Sequence, residues 1–164
     1  MHQGVNVATR AADDKACVLR CGILAPFDRE IEMAGAKVEH LEGTEWQKSR
    51  SFCPAVITEG GRTIWLAGQT TLVDLEGRDI TGQFEAQTRT IFALMERTLA
   101  RAGATLANLV TMTVFINDSR NGDRFVQIRN EFFRDGRYPG SALLTISNFA
   151  RLGCVIEIQG IAVV

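Results

Sequence analysis

Ala102-Gly103-Ala104-Thr105-Leu106-Ala107-Asn108-Leu109-Val110-Thr111-Met112-Thr113-Val114-Phe115-Ile116-Asn117-Asp118 holds a helix end, a turn, a strand and a helix start, in that order. Gly103 is a good helix stop, because glycine adopts the left-handed backbone of a helix end without steric cost. Residues 109–116 are rich in β-branched side chains and unbroken by glycine or proline, which predicts a buried strand. Asn117, Asp118 and Ser119 carry the short polar side chains that cap a helix at its amino end.

The flanking sequence extends this reading. Phe84, Thr88, Ile91, Met95, Leu99 and Ala102 recur at helical spacing, with Glu85, Arg89, Glu96 and Arg97 on other faces. Phe125, Ile128, Phe132 and Phe133 form the apolar stripe of a second helix, which the glycines at 136 and 140 end. Residues 53–58 and 63–67 predict two strands joined by the turn Glu59-Gly60-Gly61-Arg62, and residues 72–82 a loop. Residues 142–147 and 155–164 predict the last strands. Trp65 and Phe115 are expected to pack in the core or on the sheet. The order β-β-α-β-α-β-β implies an α+β domain, with both helices on one face of a mixed sheet of about five or six strands. An uncovered apolar sheet face in so small a domain favours self-association.

The chain has 164 residues, 46% hydrophobic and 23% charged, with a formal net charge of −1. Such a balance speaks against gripping nucleic acid by charge and against a polybasic membrane anchor. No apolar run approaches the roughly 20 residues that span a bilayer. Residues 1–16 contain Asp13 and Asp14 and lack the apolar core of a secretory signal, so a cytoplasmic location with reduced thiols is expected. Cys17 and Cys21 would share a helix face, but with only His2 and His40 as further ligands no metal site and no cofactor is expected.

On the last strand, Glu157 and Gln159 point to one face, and Ile156, Ile158 and Gly160 to the other. A carboxylate there must reach water, a partner, a neighbouring subunit or a ligand.

Four segments, taken in order, resemble the reactive-intermediate deaminase (RidA, YjgF-like) family over residues 50–164. They are Ser51-Phe52-Cys53-Pro54-Ala55-Val56; Ile64-Trp65-Leu66-Ala67-Gly68-Gln69; the block 102–118 quoted above; and Tyr138-Pro139-Gly140-Ser141-Ala142 followed by Val155-Ile156-Glu157-Ile158-Gln159-Gly160-Ile161-Ala162. The resemblance implies a chorismate-mutase-like fold assembled as a homotrimer, its sheets forming a barrel-like core and its clefts lying between subunits. It implies hydrolysis of an enamine or imine metabolite to a carbonyl compound and ammonia, without metal or organic cofactor.

Position by position, the family's water-directing glutamate falls on Glu157. Its carboxylate-binding arginine falls on Ser141, its tyrosine on Phe52, its serine on Ala67, and a frequent cysteine on Leu143. Ser141, Phe52, Ala67 and Leu143 are therefore the expected substrate-binding positions, together with Cys53 beside Phe52. Arg151 is a further candidate, able to supply the missing guanidinium, with Arg50 and Arg62 behind it. A non-catalytic trimer that binds a small metabolite on the same scaffold is the alternative. Residues 1–49 are set apart as an extension of unassigned role, in which residues 27–33 and 38–46 could form elements that lie over the cleft or lengthen the sheet. Nucleic acid and membrane are not expected as partners.

Overall fold

The computed structural model describes residues 35–164. Expectations placed on His2, Cys17, Cys21 and residues 27–33 lie outside the described residues.

The elements run β1 (Lys37–His40), α1 (Glu45–Ser49), β2 (Val56–Glu59), β3 (Thr63–Gln69), α2 (Phe84–Ala100), β4 (Leu109–Ile116), α3 (Gly122–Phe132), β5 (Gly140–Thr145) and β6 (Ile156–Val163). From β2 onward this is the β-β-α-β-α-β-β order of an α+β fold. A four-stranded sheet has the order β3-β6-β4-β5, and β1 and β2 form a separate antiparallel pair. β4 and β5 run parallel, with α3 as the crossover between them; the other pairings are antiparallel.

Three expectations are corrected. The first strand begins at Val56, not at Cys53, which makes only an isolated bridge to Gly140. Pro54 follows Cys53 and has no N–H to give a ladder. β2 exposes Ile57, Thr58 and Glu59 and pairs with β1 instead of widening the larger sheet. Trp65 is 76% exposed. It lies in register with Ile161, on the sheet face that the helices leave open.

α2 buries Phe84, Thr88, Ile91, Phe92, Met95 and Leu99. It stops as anticipated at Gly103, which takes φ 73°, and the Ala104 N–H returns to the Leu99 carbonyl at 2.9 Å. Asp118 accepts a hydrogen bond from the Arg120 N–H and starts a short 3₁₀ turn, Ser119–Asn121, that leads into α3. Phe92 stacks on Phe132 with ring centroids 4.5 Å apart and on Phe125 at 6.3 Å, and meets Phe133 edge-on at 6.1 Å. These rings join α2 to α3 and, with Met112, Val114, Ile116, Ile156 and Ile158, fill the space between helices and sheet.

On the solvent side, Arg124 and Arg89 pair with Glu85, and Arg89 also pairs with Glu131. Hydrogen bonds from Arg124 and then Arg89 hold the Glu85 carboxyl down to about 2. This is a surface network tying two helices together, so its shifted acid marks structure rather than chemistry.

Gln87 is fully buried in α2 and acts as a bracket. Its Nε2 donates to the carbonyls of Ile80 (3.0 Å) and Gly153 (2.9 Å), and its Oε1 accepts from the Val155 N–H (3.0 Å). One side chain thereby fixes the loop before α2 and the approach to β6.

Candidate active site

Two groups of residues stand out, one on each face of the sheet. In the ladder, Ser141 and Leu143 of β5 are level with Met112 and Val114 of β4, whose side chains are buried under the helices. Alternation along a strand therefore directs Ser141 and Leu143 to the helix side. Glu157 of β6 is level with Phe115 of β4, and Phe115 with Leu144 of β5. These three point to the open side.

The helix-side group surrounds a cleft of about 280 Å³, lined by Trp46, Arg50, Phe52, Arg129, Ser141 and Leu143, among others. The segment before the cleft is tightly held. Ser51 is fully buried with φ 60°, a left-handed conformation unusual for a residue with a side chain. Its hydroxyl donates to Asn130 Oδ1 at 2.5 Å, and Asn130 Oδ1 also accepts from the Tyr138 hydroxyl at 2.9 Å. This backbone turn swings Phe52 between two cavities and aims the Arg50 carbonyl at α3.

Arg129 of α3 is only 3% exposed. Its Nη1 donates to Ser141 Oγ at 2.7 Å and its Nη2 to the Arg50 carbonyl. The guanidinium also lies over the Phe125 ring, 5.0 Å from its centroid. Burial and then the nearby Arg50 push its pKa down to about 10. Arg50 itself pairs with the exposed Asp123.

Cys53 lies on the far side of Phe52, in a second cavity of about 480 Å³ with His40, Lys48 and Tyr138. Its thiol donates to the Ala55 carbonyl at 3.4 Å, and burial pushes its pKa up, away from a reactive thiolate.

On the open face, the Glu157 carboxylate rests on the backbone of Gly68, where a β-carbon would fall 2.9 Å from Glu157 Cδ. Among the described residues it enters no ion pair. Ala67, exposed, precedes Gly68 where β3 shifts register against β6.

A family model described as Endoribonuclease L-PSP matches residues 45–164, from α1 through the last strand. The chain belongs to the RidA/YjgF family. A RutC family protein of Pyrococcus abyssi is 26% identical over 102 residues, covering 62% of this chain and 79% of that one. A Rid-family protein of Yersinia pestis, described as of unknown function, superposes with a TM-score of 0.67 at 24% identity, over 80% of this chain and all of that one (100%). A YjgF/YER057c/UK114-family protein of Mycobacterium tuberculosis gives a TM-score of 0.55 at 24% identity, covering 78% of this chain and 100% of that chain.

Within this RidA/YjgF chain, the fold gathers Phe52, Ser141 and Leu143 around one cleft and leaves Cys53 next door. Glu157 and Ala67 sit on the opposite sheet face. Arg151 is exposed in the β5–β6 loop and lines neither cavity, and Arg62 is turned to the Ala102 carbonyl. Sequence reasoning passed over Arg129. The available signal was its place in the stripe: four residues after Phe125 and three before Phe132, a charged side chain at a position whose neighbours are buried. Arg50, one of the lesser guanidinium candidates of the sequence, does line the cleft, and Trp46, which the sequence did not single out, forms a wall beside it from α1, the helix that Arg50 caps. No helix among the described residues is long and apolar enough to cross a membrane.

Proposed function

We propose that this protein hydrolyses an enamine or imine metabolite to a carbonyl compound and ammonia, at clefts completed between the subunits of a homotrimer. The observation that carries the reading is Glu157: a carboxylate on an apolar strand, seated on Gly68 and facing an open sheet surface. Water adds to the imine carbon as Glu157 takes one of its protons. That proton passes to nitrogen, giving a neutral carbinolamine; Glu157 then carries the hydroxyl proton to nitrogen as the carbon–nitrogen bond breaks, so ammonia leaves and the carbonyl forms. An enamine enters the same route after protonation on carbon.

Assembly is part of the proposal. A small ligand in one protomer cannot touch both Ser141 and Glu157, because they face opposite ways. The open face carries Trp65 and Leu144, 76% and 44% exposed, and such a surface is normally covered by a partner. A reducing, cytoplasmic setting agrees with the free, buried Cys53 and Cys154.

A second reading, a trimer that binds a metabolite without turnover, is favoured by Ser141, Phe52 and Ala67 standing where the family carries arginine, tyrosine and serine. The test is ammonia release from imines generated in situ by an amino-acid oxidase, with an RNA substrate as a control. A protein-dependent rate supports the hydrolase. Thermal stabilisation by a metabolite with no rate above buffer supports the binder. Cleavage of RNA alone would overturn both, an outcome the net charge of −1 weighs against.

A further inference from the structure

β3 and β6 do not keep one register. Leu66 is level with Gly160 and Gln69 with Ile158, so three steps along β3 match two along β6. The extra residue makes a β-bulge over Ala67 and Gly68, and a bulge re-aims the side chains around it. Gly68, a residue without a β-carbon, thereby lies under the Glu157 carboxylate, where an alanine methyl would overlap Oε1. That carboxylate enters no ion pair among the described residues, so its aim rests on Gly68 and on the backbone that carries it.

Carried one step on, the register after the bulge sets Thr70 opposite Glu157, but β3 has already ended at Gln69. A side chain takes over from the ladder: the Thr70 hydroxyl donates to the Ile156 carbonyl at 2.9 Å. That carbonyl and the Glu157 N–H belong to one planar peptide unit. The bond therefore fixes the strand at the residue from which the carboxylate projects. One peptide earlier, the Val155 N–H is held by Gln87 of α2 at 3.0 Å.

We infer that Thr70 is a positioning residue for Glu157, its hydroxyl holding the Ile156–Glu157 peptide so that the carboxylate stays seated on Gly68. The hydroxyl proton is committed to the Ile156 carbonyl, so Thr70 acts through Glu157 and carries no proton of the reaction. The inference rests on the hydrolase reading for its effect on rate, but not for its effect on the geometry of Glu157.

The experiment compares the intact wild type with Thr70→Val, Thr70→Ser and Thr98→Val. Valine keeps the branched shape of threonine and removes the donor. Thr70→Val should lower kcat for imine hydrolysis about tenfold to a hundredfold, the scale of a misplaced catalytic group, and leave KM within about twofold. Thr70→Ser keeps the donor and should restore most of the rate. Thr98→Val removes a bond of the same kind and length, from the Thr98 hydroxyl to the Leu94 carbonyl (2.9 Å) within α2, and should leave kcat unchanged. Thr70 is half-buried, and Thr70→Ala, which cannot crowd the carbonyl, repeats the measurement should valine unfold the chain. Crystal structures of wild type and Thr70→Val give a readout that needs no activity: the carboxylate should lie on Gly68 in the first, and leave it or spread over several rotamers in the second. The inference is overturned if Thr70→Val keeps the wild-type kcat, if Thr98→Val loses as much, if Thr70→Ser is as slow as Thr70→Val, or if the Thr70→Val carboxylate is still seated on Gly68. A carboxylate that moves in Thr70→Val, with no ammonia release by wild type, would leave the positioning role standing and the hydrolase reading fallen; ammonia release that falls in Glu157→Gln but not in Thr70→Val would do the reverse.

Discussion

Glu157→Gln lowers the imine-hydrolysis rate by about 10²–10⁴-fold, the usual contribution of a positioned general base, while the melting temperature stays within a few degrees of wild type. Glutamine keeps the shape of the side chain and removes only its ability to accept a proton at neutral pH. Structure gives no reason for a stability loss, since the carboxylate has no ion-pair partner among the described residues. Gly68→Ala is the companion variant. A methyl group there would overlap Glu157 Oε1 and lie 2.9 Å from Cδ, so the carboxylate must swing away. The atoms in the way belong to the end of a flexible side chain, so folding should be spared while the rate falls. Equal rates for wild type, Glu157→Gln and Gly68→Ala would remove Glu157 from the mechanism. A large drop in melting temperature for Glu157→Gln would instead make it a structural residue.

Phe92→Ala removes the ring at the centre of the helix-to-helix contact and costs about 3–5 kcal/mol. Phe92 is 0% exposed and touches three other rings. The surrounding phenylalanines come from α3 and the residue that ends it, and the separation of α2 from α3 is also set by the sheet beneath, so the cavity cannot close. For a domain with roughly 5–15 kcal/mol of total stability, a loss of this size leaves little reserve. The denaturant midpoint should fall sharply, and the melting temperature by roughly 10 °C or more. A loss below about 1 kcal/mol would show that the ring cluster is not the keystone its geometry indicates.

Much of this architecture was legible in the residues. The spacing of Phe84, Ile91, Met95 and Leu99, the glycine at 103 and the β-branched run of β4 each have a local cause, and each produced the element expected. What was not legible depends on contacts between distant segments. Cys53 looked like the start of a strand, but the lack of an N–H on Pro54 delays the ladder to Val56. Trp65 was left open between the core and the sheet surface, because alternation states that it opposes Leu66 but not which face the helices cover. Gln87 looked like an ordinary helix residue; only the folded chain shows it bracketing Ile80, Gly153 and Val155. Among the site candidates, Ser141, Phe52 and Leu143 converge on one cleft. The guanidinium beside them comes from α3, a position that no inspection of β5 or of the loop carrying Arg151 could reveal.

Ser141 and Glu157 projecting from opposite faces of one sheet has a genetic corollary. In the assembly proposed above, each cleft draws its Ser141 wall from one copy and its glutamate from the next. Two inactive alleles, a cleft-filling Ser141→Trp and Glu157→Gln, should then complement each other when co-expressed. Random mixing would pair an open Ser141 cleft with an intact glutamate in about a quarter of the clefts, and activity should return in that proportion.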